Sequence, residues 1–418
     1  MRLHHLLLIS VAPSISSAQK APPKPVVIPS LADVNERSTP LPELPRARLK
    51  LTPTRTIQGA KETLEQVAGV AVGPKGQLAV LGRFNSQPAS ARGIYQSLRL
   101  FDSTGRRLWS INAGGDQEIG WFDAIGWRDG GMWVSDERNS QIALVEHGEV
   151  TKSIEIPSWV RPDWNHRKSF PVFGRVSILA VLADGSYIGM PSRPHSLMGG
   201  AQYDSTKNYI LHFSDGGIID RMIAAIPSYD YDWQQGLREY RRQNATGPYP
   251  PADSPLRMKQ YPKFHVSPDG ARTVVVSVDS SHAGVDSITV VAKSATGSDV
   301  YRQRFAFPRK SYSNEQIDSI MMERYPRAST GERARRAAGY PRISPDIDYF
   351  VLGADYSVWI TLREGNGVRP VVALDPMGKI LGTLYLPRTY SCVAADRDGV
   401  WLVDNRSSVK DLVRYRYR

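Results

Sequence analysis

The sequence predicts an all-β chain: a six-bladed β-propeller closed by its N-terminal strand, with a small helical insertion between blades 4 and 5. Three observations lead there. The stretch Trp121–Pro157 reads as four short strands: Phe122–Trp127, Met132–Ser135, Gln141–Glu146 and Val150–Ile156. Tight Asp-Gly and His-Gly turns join the first and last pairs, and alternating apolar residues between such turns mark strands. The unit then recurs along the chain, and a repeated four-stranded unit buries its faces only by stacking against its neighbours. Finally, the last copy is one strand short, while an unattached strand stands near the N-terminus.

In chain order, Met1–Ala18 has the form of a secretory signal peptide. Arg2 precedes the apolar run Leu6–Ala12, and Ser16, Ser17 and Ala18 supply small residues at the cleavage positions. Residues 19–45, with PPKP and TPLPELP, form a proline-rich linker. The propeller is expected over 46–418. The strand in Arg46–Ala60 ends in TRTIQG, which matches the last strands of other units, such as TKSIEIP and GTLYLP. It is assigned to complete the C-terminal blade, which removes the edges of an open ring.

Blade 1 spans Val67–Asn112, blade 2 is the stretch already described, and blade 3 spans Val176–Pro227. Blade 4 spans Phe264–Pro308, blade 5 spans Tyr349–Pro387, and blade 6 spans Ser391–Tyr417 plus the N-terminal strand. Trp133, Trp359 and Trp401 recur at one position of the second strand, with Leu78 and Tyr187 as counterparts. Large apolar residues in register read as packing between blades.

VWLVDNRSSVKDLVRY and MWVSDERNSQIALVE resemble the NHL-type repeat of six-bladed propellers, on Asp136, Asn139, Asp404 and Asn405. The chain is thereby similar to a broad group of secreted bacterial propellers. That resemblance implies a secreted or periplasmic location. The group holds ligand-binding modules, scaffolds, lactonase-like hydrolases and lyases, so the fold alone names no reaction.

The formal net charge of +12 permits an anionic partner such as a polysaccharide or a lipid headgroup. A nucleic-acid partner is not expected, because the leader directs the chain out of the cytoplasm and no nucleic-acid module is present. No segment of the sequence is long and apolar enough for a transmembrane helix. A monomer is expected. The single cysteine, Cys392, lies in an apolar run and reads as a buried, inert thiol.

Loop lengths place the site. First-to-second and third-to-fourth turns are short throughout (GPKG, DSTG, ADGS, SPDG, DPMG). Nearly all length variation falls in second-to-third loops and blade-to-blade connections, on the opposite face of the disc. The insertions 158–171, 228–261 and 309–343 all belong there. The first two mix aromatic with basic residues. The third holds a capping-box pattern, Ser313 and Gln316, and an apolar face of Ile317, Ile320 and Met321. It also carries eight basic residues against four acidic ones.

An aromatic, basic face stacks on sugars or pairs with anions. The expected function is therefore a non-catalytic extracytoplasmic binding module for a protein, a carbohydrate or an anionic ligand, without a cofactor. The candidate contacts are Trp159, Trp164, Arg167, Tyr231, Trp233, Arg241, Arg335 and Arg336. The alternative is a metal-assisted, lactonase-like hydrolase or lyase at the same face. It would hold Ca²⁺ through Asp136, Asp404 and Asn405, or Zn²⁺ through His166, His195 and His282. No G-x-S-x-G elbow supports a serine hydrolase, and no P-loop is present.

Overall fold

The computed structural model describes residues 49–84, 96–113, 119–128, 131–137, 139–156, 176–191, 206–227, 262–279, 285–308, 310–338, 343–344, 347–362, 368–387 and 389–417. The expected signal peptide and linker lie outside them, as do the insertions 158–171 and 228–261.

Six antiparallel sheets of four strands each make the ring. Five are meanders from an inner to an outer strand, and the sixth takes its outer strand from the N-terminal end. Blade 2 shows how closely pattern sets pairing. Its strands are Ala124–Arg128, Gly131–Asp136, Gln141–Glu146 and Glu149–Glu155. Val134 pairs with Ala143 and Ile142 with Ile154, so one set of apolar side chains faces each neighbouring blade. The inner strands of the other blades begin at Leu64, Val176, Lys263, Ile347 and Tyr390.

The ring closes as the sequence predicts. Leu51–Ile57 is the outermost strand of blade 6, pairing Thr56 with Val413 and Ile57 with Leu412. The seam is pinned by Arg55. Its guanidinium lies 4.4 Å over the Trp401 ring and donates to the carbonyls of Gly76 and Asp102 in blade 1. A short helix, α1 (Gly59–Glu62), then leads into blade 1. There the buried Glu62 carboxylate accepts from both Arg99 (2.8 Å) and Arg107 (3.1 Å).

The cores sit between blades. Trp133, Trp359 and Trp401 are fully buried, as their shared register predicts. Cys392 is buried too, and desolvation raises its thiol pKa, which leaves no thiolate for chemistry.

The insertion between blades 4 and 5 is a helical hairpin on a two-stranded stem, Lys310–Ser311 with Ile343–Ser344. α2 spans Asn314–Arg324 and α3 spans Thr330–Ala338. The capping box is formed. Ser313 Oγ accepts from the Gln316 backbone N–H, and the Gln316 side chain accepts from the Ser313 N–H. Ile317, Ile320 and Met321 pack with Tyr312, Tyr325 and Ala337 into a small core belonging to the hairpin. Among the described residues no helix is long and apolar enough to cross a membrane.

Candidate functional site

The six inner strands surround a central cavity of about 430 Å³, within the usual size range of small-molecule sites. Its wall is mainly apolar, and in three blades a bulged residue is part of it. In blades 1, 3 and 6 the inner strand slips register against the second strand, between Val67 and Gly69, Ile178 and Ala180, and Cys392 and Ala394. The residue passed over in each case is Ala68, Leu179 or Val393, and all three line the cavity. A bulge re-aims the side chain it carries. Here it turns residues that regular pairing would hold against a neighbouring blade toward the lumen.

At the face of short turns, blade 2 reaches toward blade 4. Trp133 of blade 2 lies flat against Gly126, where an added Cβ would stand 2.5 Å from the indole. Its Nε1 approaches the carbonyl of Pro268 in blade 4 at 3.5 Å. Blades 2 and 4 are not neighbours, so this contact reaches across that end of the ring.

Three polar side chains accompany the apolar wall: Asp123, His265 and Tyr349. Asp123 accepts from the Glu137 backbone N–H (2.7 Å), and the Tyr349 hydroxyl accepts from the Cys392 N–H (2.9 Å). His265 differs. It is open to the lumen and touches Phe350 edge-on, with ring centroids 6.1 Å apart. Desolvation by the surrounding ring holds its pKa below the ordinary imidazole value. Its Nδ1 is 2.9 Å from the Val266 carbonyl. A carbonyl only accepts, so Nδ1 carries the proton and Nε2 of the neutral ring is a bare acceptor.

At the long-loop face, the strand ends expected to hold metal are occupied by protein. One Asp136 carboxylate oxygen accepts from the N–H groups of Gly120 and Trp121 and from the Asn139 amide, while the other accepts from the Asn139 N–H. It ties down the loop before the inner strand of blade 2. Asp404 pairs with Arg406, whose hydrogen bonds lower the carboxylate pKa. Asn405 donates to Ser391 Oγ (3.0 Å). Asp136 belongs to blade 2 and the other two to blade 6. Among the described residues no group of three or more His, Cys, Asp or Glu side chains could hold a metal ion. His166, His195 and His282 lie outside the described residues.

Of the expected ligand contacts, Arg335 and Arg336 fall in α3, and both are exposed. Arg336 bonds Glu332 one turn earlier (2.6 Å) and lies 4.2 Å over the Tyr325 ring. Trp159, Trp164, Arg167, Tyr231, Trp233 and Arg241 lie outside the described residues.

One serine–histidine–aspartate set occurs where no sequence motif marks it. Ser186 Oγ is 3.1 Å from His212 Nε2, and His212 Nδ1 is 3.2 Å from Asp220. The set is structural. Ser186 also donates to Asp184 (2.5 Å) within its turn, as Ser357 does to Asp355 and Ser267 to Asp269. A hydroxyl that recurs as a turn brace, is buried, and already gives its proton to a carboxylate is not a nucleophile.

No family model matches the sequence. No curated protein matches it either. Among solved structures, the chain is similar to a member of the DUF4221 family from Bacteroides vulgatus, at 11% identity and a TM-score of 0.47, over 89% of this chain and 99% of that one. It is also similar to a protein described as exported from Bacteroides fragilis, at 10% identity and a TM-score of 0.44, over 90% of this chain and 99% of the other. The blade count rests on the strand pairing within this chain.

Proposed function

We propose that the protein is a non-catalytic, extracytoplasmic binding module that holds its ligand or partner on the long-loop face over the central channel. The observation that carries this reading is the one-sided placement of the chain's extra length. The strands flanking the long connections, ending at Phe84, Glu155, Pro191, Pro227 and Pro308, all leave their blades on one face. The turns on the other face are short and braced by their own aspartates, as at Asp102, Asp184 and Asp375. A rigid ring with its variable length gathered on one side is the usual layout of a recognition surface.

The non-catalytic part draws support from the polar groups on the described wall and strand ends. Asp123, Tyr349, Asp136 and Asp404 are each engaged by protein donors. The extracytoplasmic part rests on the leader-like Met1–Ala18 segment.

The test is a thermal-shift series on residues 19–418 with EDTA, Ca²⁺, Zn²⁺ and a panel of acidic and neutral oligosaccharides. A ligand that binds only the folded state raises the midpoint. A shift with a glycan, or a partner captured with no shift from any metal, is expected. A large Ca²⁺ or Zn²⁺ shift accompanied by lactone or ester turnover would overturn the reading.

A further inference from the structure

We infer that the central channel itself is a binding site for a neutral, largely apolar small molecule bearing one hydroxyl or N–H donor, which bonds His265 Nε2. This rests on the binding-module reading and names the ligand class of that site. It departs from the expectation raised by the net charge of +12, because among the described residues no lysine or arginine lines the cavity.

The argument starts from the wall. Each blade supplies apolar surface to it: Val67, Ile125, Leu179, Phe264, Phe350 and Val393. In blades 3 and 6 that surface is a bulged residue turned toward the lumen. Apolar side chains kept facing water forgo the gain from burial, about 25 cal/mol per Å², and an apolar occupant recovers it. The enclosure matters as well. A ligand here is surrounded by all six blades and not laid on a flat surface.

The polar groups then set the ligand's chemistry. Asp123 and Tyr349 are engaged by backbone donors within the protein. His265 presents a lone pair, since the Val266 carbonyl fixes its proton on Nδ1. Among the described residues none bonds Nε2. An acceptor in an apolar wall selects for a donor, because a matched ligand without one leaves the nitrogen desolvated and unpaired. An anion is disfavoured twice over. Among the described lining residues it meets no lysine or arginine, and it faces both that lone pair and the Asp123 carboxylate.

The test uses three ligands of one shape: 2-naphthol (a donor), 2-methoxynaphthalene (no donor) and 2-naphthoate (an anion). Affinities are measured by fluorescence titration at neutral pH on residues 19–418. The expected order is 2-naphthol first, 2-methoxynaphthalene about tenfold weaker, the scale of one net hydrogen bond, and 2-naphthoate without saturable binding.

His265→Phe keeps the ring shape and the edge contact with Phe350. It is expected to abolish the difference between the first two ligands, whereas His265→Gln, which retains an acceptor, restores part of it. Ala68→Phe fills the lumen and is expected to remove binding of 2-naphthol at an unchanged melting temperature. Should Ala68→Phe fail to fold, the two His265 variants decide alone. Equal affinity for 2-naphthol and 2-methoxynaphthalene in the wild type, or a preference that survives His265→Phe, would overturn the inference. So would absence of 2-naphthol binding. A glycan-induced thermal shift in a protein that ignores all three naphthalenes would sink the channel site and leave the binding module standing. Metal-dependent turnover with 2-naphthol still bound would do the reverse.

Discussion

The channel wall and the helical hairpin differ in how they are held. The wall is part of the ring. Its side chains come from inner strands, and its shape depends on contacts such as Trp133 against Gly126, between which there is no spare space. The hairpin carries a small core of its own, around Ile317, Ile320 and Met321, and α3 buries none of its residues. The described wall is mainly apolar, with Asp123, His265 and Tyr349 as its polar side chains, while α3 is basic. The difference teaches that the apolar lining and the basic residues of α3 reside in separate parts of this molecule. The net positive charge describes its surface and not its cavity.

The sharpest way to break that contrast is to disturb each part and ask whether the other responds. Gly126→Val drives a branched side chain into the Trp133 indole and is expected to cost about 3 kcal/mol or more. Thermal or urea melting would register the loss over the whole ring. Ile320→Ala is expected to remove about 2 to 4 kcal/mol from the hairpin core. Hydrogen exchange should then show faster exchange over 314–338, with the inner strands unchanged. Loss of protection on both sides together would mean that the hairpin and the ring are a single cooperative unit.

The pH response sharpens the same division. His265 and His212 are both held below the ordinary value of 6.5, first of all by desolvation. Above 6.5 they are neutral in the folded and the unfolded chain alike. As pH falls, the unfolded chain takes up protons first, so stability is lost from 6.5 down to the folded values. Melting temperature is expected to be level above about pH 7 and to decline below it. His265→Phe should remove part of that decline. A second loss is expected below the ordinary aspartate value of 3.8, where the hydrogen bonds of Ser186 to Asp184 and of Arg406 to Asp404 hold those carboxyls down. A melting temperature that rises between pH 7 and 5 would contradict the reading of His265.

The smallest effect is expected at the exposed end of α3. Arg335→Glu should change stability by less than about 0.5 kcal/mol, as surface substitutions do. It should leave 2-naphthol affinity alone and weaken retention on an anionic column. A change in 2-naphthol affinity would show that the hairpin reaches the lumen.

How much of this was legible in the sequence follows from what each feature depends on. The blades were legible because alternation and Asp-Gly turns are local: Gln141–Glu146 was read at its observed bounds. The closing strand was legible because TRTIQG repeats the outer-strand pattern and blade 6 lacked one. The capping box at Ser313 needed only a three-residue spacing. The channel wall was not legible. Whether Leu179 or Val393 faces a blade or the lumen depends on a register slip against the second strand, and alternation carries no mark of it. The role of Asp136 was half legible. The Asp–Asn spacing was seen and referred to a metal by resemblance, whereas the carboxylate holds Gly120, Trp121 and Asn139. The Asn three residues on is the sequence signal for such a loop. His265 falls within the stretch read as blade 4, but its tautomer depends on the path of the Val266 carbonyl.

The most direct single measurement is a crystal structure of residues 19–418 soaked with 6-bromo-2-naphthol, with the bromine located by its anomalous signal. The expected result is one peak inside the ring and the ligand hydroxyl within about 3 Å of His265 Nε2, a hydrogen-bond distance. A peak on the outer surface or on α3, with only water in the lumen, would contradict the assignment of the channel as the binding site.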